Sequence, residues 1–591
     1  MDIFTLTIAI SIIIFVAIGS FAGRNIKHLD DYFVAGRRAP TLLIVGTLVA
    51  SVFSSTIFLG EAGFTYSGQM GPYLLMPAVA CTGYIYGALL FGRYLRRSRA
   101  PTVADFFGRR FNSHRVQQIS GLTIIVALGG YLLVVTQGAA LLLSDLTSLS
   151  FTQSLLIAWV SYTLFTMYSG SQGVILTDTL MFLLFAVATV FFIGFIVTDL
   201  GGIAAAIENL SRLESKPGIA SWHGVVGPGT EWPTPMDYLI WTLILDIAWS
   251  VVYAVSPWQS SRHLMAKNEH VVIRASVYAA LAVIVLQLMI YGAGGLINLA
   301  NPQIEPAESA MIWAAKNMVP EFLGALLLAG IMAAALSSAS TFLSLIGFSA
   351  SNDMVRHKEA SEALSLRFTR GVMLTIGVIV LVASFYFPAN IFWLMLFIGT
   401  VFTSSWGPVA LMSVWSKTIT ESAAFWGMAT GFVFNVVPAG LQTLGFIDLP
   451  SYLDPVLIGS VVSLCTIIII SRLGKVSRKE ALYRMRLHRT PAQEVDLKAV
   501  KTTLLAPAIL ILYGCAMPFI MSHFYVLPYQ TGSGELLADG SINWFTGEAL
   551  LSFSWALVYI PLGLITAKVI INSYSPSAKI KNSYTQTAVK H

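Results

Sequence analysis

The chain reads as an all-α polytopic membrane protein of about 15 transmembrane helices, N-terminus outside and C-terminus cytoplasmic. Three observations predict this class. Hydrophobic residues make up 56% of the 591 residues and charged residues 11%, too little polar surface to cover a soluble globule of this size. Apolar segments recur with lengths of about 20 residues, which suits helices crossing a hydrocarbon core of roughly 30 Å and not the short alternating strands of a barrel. Lys and Arg concentrate in alternate loops, the asymmetry that sets orientation.

In order, the apolar segments are 3–23, 40–60, 70–95, 117–144, 150–169, 173–199, 236–260, 272–298, 319–352, 368–387, 389–415, 421–443, 454–471, 503–523 and 547–571. The first, IFTLTIAISIIIFVAIGSFAG, follows Asp2 and precedes Arg24, the reverse of a secretory signal, so it reads as a retained helix. With the N-terminus outside, only Arg212, Lys216 and Lys316 among the basic residues face outward. A miscount of one segment would swap every later loop and destroy this pattern. The basic blocks GRYLRRSRAPTVADFFGRRFNSHR and SRLGKVSRKEALYRMRLHRT carry the net charge of +6 as topology anchors, so no nucleic-acid partner is implied. Loop 200–235, with GVVGPGTEWPTP, reads as a cover over an entrance or as a plain connector. Stretch 300–318 reads as a short surface helix or a connector.

Several chemistries are excluded. Cys81, Cys465 and Cys515 lie in apolar segments without metal-ligand spacing, and the histidines lie in loops, at segment ends or in the tail. With no nucleophile–base pair and no nucleotide-binding loop, the chain does not read as an enzyme.

Polar groups inside the apolar segments carry the functional signal. Away from segment ends the ionisable side chains are Asp178, in VILTDTLMFLLF, and Asp246, in YLIWTLILDIAWSVVY, neither with a basic partner in the segments. A carboxylate in that setting holds a proton or meets a cation. The strip AAALSSASTFLS places Ser337, Ser340, Thr341 and Ser344 on one helical face, with Ser338 on its flank. Two readings stand: hard oxygen ligands for a cation such as sodium, or small residues that let helices pack closely. In VASVFSSTIFLG small and hydroxyl residues interrupt a helix, and a break there would free backbone carbonyls to line a site.

Five stretches in order, DDYFVAGRRAP, ASVFSSTIFLGEAG, WSVVYAVSPWQSSRHLMA, AGIMAAALSSAS and WGPVALMSVWSK, run from about residue 30 to 420. Together they resemble the sodium/solute symporter family of proline, pantothenate, sugar, sialic acid and monocarboxylate carriers. The resemblance implies a LeuT-like 5+5 inverted-repeat transporter core working by alternating access. The expected organisation is an extra N-terminal helix in 1–30, a first repeat in 31–199, an extracellular loop 200–235 and a second repeat in 236–416. Four additional helices follow in 417–575, with a basic cytoplasmic loop 472–502, and 576–591 form a cytoplasmic tail.

The same resemblance implies a central sodium site of carbonyls from Ala50, Phe53 and Ala334 with hydroxyls of Ser337 and Ser338. A second sodium site would use Asp178, Ser337, Ser340 and Thr341, giving two ions per cycle. By position, Ser54, Thr56, Ile57, Met76, Gln137, Trp249, Tyr253 and Gln287 would face the solute. Val52 stands where proline carriers place an aspartate, and Met76 and Trp249 where sugar carriers place polar side chains. The expected cargo is therefore a small carboxylate or amino-acid-like solute, imported with sodium across the plasma membrane, or the inner membrane of a bacterium. Asp246 has no family counterpart and reads as a binder of a substrate amine, a proton site, or a residue facing a polar cavity. Proton coupling within this fold and a transporter-like sensor working through a separate partner are the alternatives. A fused signalling region is not expected, because the chain ends about twenty residues after its last apolar segment.

Overall fold

Helix follows helix because each apolar run is bounded by residues that start and stop helices. The computed structural model describes residues 3–23, 29–355, 362–387 and 390–575, so the expected tail 576–591 lies outside the described residues. The first half comprises α1 (Ile3–Gly23), α2 (Thr41–Ala50), α3 (Thr56–Tyr73), α4 (Met76–Ser98), α5 (His114–Leu146) and α6 (Phe151–Asp199). Then come α7 (Pro235–Met265), α8 (Glu269–Leu299), α9 (Glu321–Met354), α10 (Glu362–Tyr386) and α11 (Ile391–Trp415). The chain closes with α12 (Glu421–Thr443), α13 (Pro455–Leu473), α14 (Leu497–Ser533) and α15 (Gly547–Tyr574). Side chains of Ser113, Thr234, Asn268, Thr420 and Asp454 accept from the first free backbone N–H groups of α5, α7, α8, α12 and α13, and Ser150 with Gln153 forms a capping box on α6.

Among the described residues, 11 helices are long and apolar enough to cross a membrane, or up to 12 when α3 and α4, bent by 70° at their junction, count as one span. The expected segments 150–169 and 173–199 are the two arms of α6, which kinks at Gly170, where φ 52° and ψ −169° leave helical geometry. Only glycine adopts that conformation at little cost.

The expected end at 60 is corrected by the structure, while the expected start at 70 falls just after Gly68, which leaves helical geometry at φ 140°. α3 runs through Gly60, Glu61 and Ala62 to Tyr73, and α4 starts at Met76. Glu61 and the polar run TYSGQ lower the hydropathy, but Glu61 is buried and accepts the Tyr291 hydroxyl, so no helix end is needed.

Two faces of the molecule differ. On one, Arg96 donates to the carbonyls of Ala266 at 2.5 Å and Lys267 at 2.9 Å, Arg97 pairs with Glu269 at 2.6 Å, and Arg110 donates to Ser413 O at 2.5 Å. The basic loops thus clamp helix ends. On the other, loop 200–235 folds over the end of α3, with Gly71 N donating to Ile219 O at 3.0 Å and Gln69 Nε2 to Val225 O at 2.8 Å. These bonds pin the loop to that helix end. Within 300–318 a helix forms over Ala310–Asn317, but Met311, Ile312 and Ala315 are buried, so it packs inward instead of lying on the surface.

The centre is α9, enclosed by α1, α5 and α6. Small residues set the spacing. A Cβ at Gly46 of α2 would come within 2.5 Å of Thr179 on α6, so glycine there lets α2 lie against α6 and brings Thr47 to its neighbour Asp178.

Candidate functional site

The site begins at the gap between α2 and α3. Val52 N and Phe53 N both bond back to Val49 O, at 3.0 and 3.1 Å, and α3 resumes only at Thr56. Ala50 and Phe53 therefore present their carbonyls sideways. Across the gap, the Ser338 hydroxyl of α9 donates to Ala50 O at 3.3 Å and to Phe53 O at 3.2 Å. One proton serves two acceptors, so three oxygens converge at long spacing where a hard cation would accept them all. Ala334 lies one turn before Ser338 on α9 and is buried with it. These oxygens fit sodium. Among the described residues no group of three or more His, Cys, Asp or Glu side chains could hold a metal ion.

Ser337 points elsewhere. Its hydroxyl donates to Asp178 Oδ1 at 2.5 Å, while Thr47 of α2 donates to Asp178 Oδ2 at 2.5 Å. The expectation that Asp178 lacks a basic partner is overturned. Arg262 of α7, itself buried, lies 3.4 Å from Asp178 Oδ2 and donates to Thr341 Oγ1 at 2.7 Å. α7 breaks at Ser256–Pro257, where proline has no N–H to donate, and a second short helix carries Arg262 into the core. Ser340 turns back to its own helix, donating to Ser337 O at 2.8 Å. Of the four residues expected around a second ion, Asp178, Ser337 and Thr341 are joined in one network and Ser340 stands apart from it.

Farther along α3 and α7 lies the expected solute region. Trp249 and Tyr253 stack edge to face at 5.8 Å, and Tyr253 packs on Tyr84 at 4.9 Å. Gln287 Nε2 donates to Tyr253 Oη at 3.4 Å and Cys81 Sγ to Gln287 Oε1 at 3.5 Å. A Cβ at Gly399 would meet the Trp249 ring at 2.6 Å, so α11 also seats this cluster. Ser54 and Thr56 bond each other at 2.6 Å beside the helix gap, and Ile57 and Met76 are buried. Gln137 Nε2 donates to Ser384 O at 3.4 Å and Phe387 O at 2.8 Å, which ties α5 to the end of α10, while its Oε1 is buried without a partner. Asp246 is buried on α7 and makes no hydrogen bond or ion pair among the described residues.

Glu61, Tyr291, Thr47 and Arg262 were missed from sequence. Glu61 and Arg262 sit just beyond apolar runs that end too early on hydropathy alone. The two glycines of GEAG read as a helix end, so no local signal marked the continuation. Tyr291 is one turn from Gln287 on the same face of α8, and Thr47 is a lone hydroxyl with nothing local to mark it.

A family model for the sodium:solute symporter family matches residues 32–431. The chain belongs to the sodium:solute symporter family. Among its curated relatives, the sodium/pantothenate symporter of Escherichia coli K12 is 25% identical over 432 residues, 71% of this chain and 86% of that protein. The sodium/proline symporter of Salmonella typhimurium LT2 is 23% identical over 479 residues, 78% of this chain and 91% of that one. In fold the symporter is similar to a sodium-coupled sialic acid symporter solved in a substrate-bound outward-open state, with a TM-score of 0.68 at 18% identity, covering 81% of this chain and 99% of that one. Mhp1, a nucleobase-cation-symport-1 family transporter in a closed conformation, has a TM-score of 0.51 at 11% identity. This symporter is thus an integral membrane transporter, not an enzyme, and it couples sodium to the movement of a small organic solute.

Proposed function

We propose that the protein imports a small carboxylate or amino-acid-like solute across the plasma membrane by alternating access, driven by two sodium ions. The carrying observation is the convergence of the Ser338 hydroxyl with the carbonyls of Ala50 and Phe53. The first ion replaces the shared hydroxyl proton as the partner of both carbonyls, with Ala334 O and the Ser337 hydroxyl completing its shell. A second ion is held by Asp178 with Ser337, Ser340 and Thr341. Arg262 already shares Asp178 and Thr341, so ion entry there displaces the guanidinium from the carboxylate. Because both shells draw on Ser337 and adjoin α2, α7 and α9, sodium occupancy sets how these helices meet.

The solute sits against Trp249, Tyr253 and Gln287, with Ser54, Thr56, Ile57 and Met76 toward the helix gap. Relatives named for pantothenate and proline support an organic acid or amino acid as the class. The clustering of Lys and Arg on the face of loops 99–113 and 472–502 supports a cytoplasmic location for that face. Loop 200–235 is then extracellular, the N-terminus is outside, and the chain crosses fifteen times. The two helix breaks, at 51–55 and at Ser256–Pro257, support an inverted repeat of 31–199 and 236–416.

Uptake into proteoliposomes under a sodium gradient, and sodium-dependent thermal stabilisation of the purified protein, test this reading. Ser338→Ala raises the sodium concentration for half-maximal response by about tenfold, the loss of one good ligand at roughly 1.4 kcal/mol. An unchanged sodium response in Ser338→Ala overturns the central site.

A further inference from the structure

Resting on the symporter reading above, we propose that the solute carries an organic ammonium group, received by Glu61 and Asp246 within an aromatic cage. A carboxylate solute without an amine is not the cargo.

Glu61 lies inside α3, buried, and accepts a hydrogen bond from the Tyr291 hydroxyl. Asp246 lies inside α7, buried, with no partner at all among the described residues. Tyr291, which bonds Glu61, packs on Tyr73 at 5.2 Å and lies one turn from Gln287, which bonds Tyr253, so Glu61 adjoins the region bordered by the α7 segment that carries Asp246 and Tyr253. The Tyr73 hydroxyl, only 2% exposed, has no hydrogen-bond partner there, and the Trp249 Nε1 is likewise buried and unpartnered. One acid, Asp246, and two donors are therefore left without partners where a folded core would ordinarily satisfy them, and Glu61 holds only a tyrosine hydroxyl. No Lys or Arg pairs with either acid among the described residues, and Arg262 is held by Asp178 and Thr341.

Residues 246, 249 and 253 recur at three and four along α7, so Asp246, Trp249 and Tyr253 share one face. A cation beside that face meets a carboxylate and two aromatic rings, the surroundings that favour an ammonium over an anion. An anionic cargo would instead face two carboxylates with nothing to offset them.

The approach has the same character. Above Leu245, on the face of loop 200–235, lies a cavity of about 620 Å³ lined by Glu231, Asp448 and Asp454 together with Trp232, Trp241 and Trp393, with no basic residue in its wall. Between it and the acids, Phe64 stacks on Phe392 at 4.1 Å and packs on Tyr73 at 4.9 Å. An acidic vestibule raises the local concentration of cations and lowers that of anions. The aromatic layer then separates the vestibule from the buried acids.

The test uses the full-length protein in detergent and in proteoliposomes with three probes: choline as an organic cation, proline as a zwitterion and pantothenate as an anion without an amine. Sodium-dependent binding and uptake are expected for an ammonium-bearing probe and not for pantothenate. Glu61→Gln and Asp246→Asn each weaken that binding tenfold or more, while thermal stabilisation by sodium alone is retained, which certifies the fold. Sodium-dependent uptake of pantothenate that is indifferent to both substitutions overturns the proposal and leaves the symporter reading intact. Loss of every sodium response in the unaltered protein overturns the symporter reading itself. A shifted pH profile with unchanged affinity in Glu61→Gln makes the acid a proton carrier and likewise overturns the proposal.

Discussion

Asp178 and Asp246 are both buried aspartates on apolar helices, yet Asp178 is surrounded by Thr47, Ser337 and Arg262 while Asp246 has no partner among the described residues. Burial of a carboxylate is costly in either place. At Asp178 protein groups offset the cost, so the charge there is tied to how α2, α6, α7 and α9 meet. At Asp246 no group among the described residues does so, which leaves the offset to what binds. A saturated polar node holds the frame and responds to ions; an unsaturated one is open to a ligand.

The same substitution at the two positions should therefore act in opposite directions. Asp178→Asn strands the buried Arg262 charge and should destabilise the protein by about 3–5 kcal/mol, with a large fall in Tm. Asp246→Asn removes an unpartnered charge, so Tm stays level or rises. Equal Tm values for the two variants would break the comparison. Thr47→Val takes away one of the two hydroxyls on Asp178 and should cost about 1.5–3 kcal/mol, read as a smaller fall in Tm. A silent Thr47→Val would mean that Arg262 alone sustains the node.

A third acid, outside the spans, gives the smallest effect. Burial, and then the neighbouring Glu269, push the Glu494 carboxyl up to about 7. The folded state holds this proton more tightly than the unfolded state. Its contribution to stability is full below the unfolded value of about 4.3 and fades as pH rises through about 7. Glu494→Gln should flatten the decline in Tm across that window, measured by thermal unfolding from about pH 5 to 8.

Much of the frame was legible because hydropathy and capping are local. The expected starts at 150, 236 and 421 fall within one residue of Phe151, Pro235 and Glu421. The strip at Ser337 and Ser338 was legible because hydroxyls on one face of an apolar helix are rare and costly. Glu61 was not, since a single acid ends an apolar run in any window average, and its partner Tyr291 is 230 residues away. Arg262 was read as a loop residue because positive charge ordinarily stays out of the membrane, and only the fold of α7 across Pro257 carries it to Asp178. That the Gln137 amide nitrogen bonds to the end of α10 is a pairing that α5 alone does not encode.

By itself the sequence determined that this is a helical membrane protein, that small and hydroxyl residues interrupt a helix within 49–60, and that the serine strip, Asp178 and Asp246 lie inside apolar segments, because composition and period act over a few residues. Only the tertiary structure decided which polar groups are partnered. Ser338 meets Ala50 and Phe53, Arg262 meets Asp178, and Asp246 has no partner among the described residues, because a buried charge is satisfied or left open by whatever distant helices bring within about 3 Å.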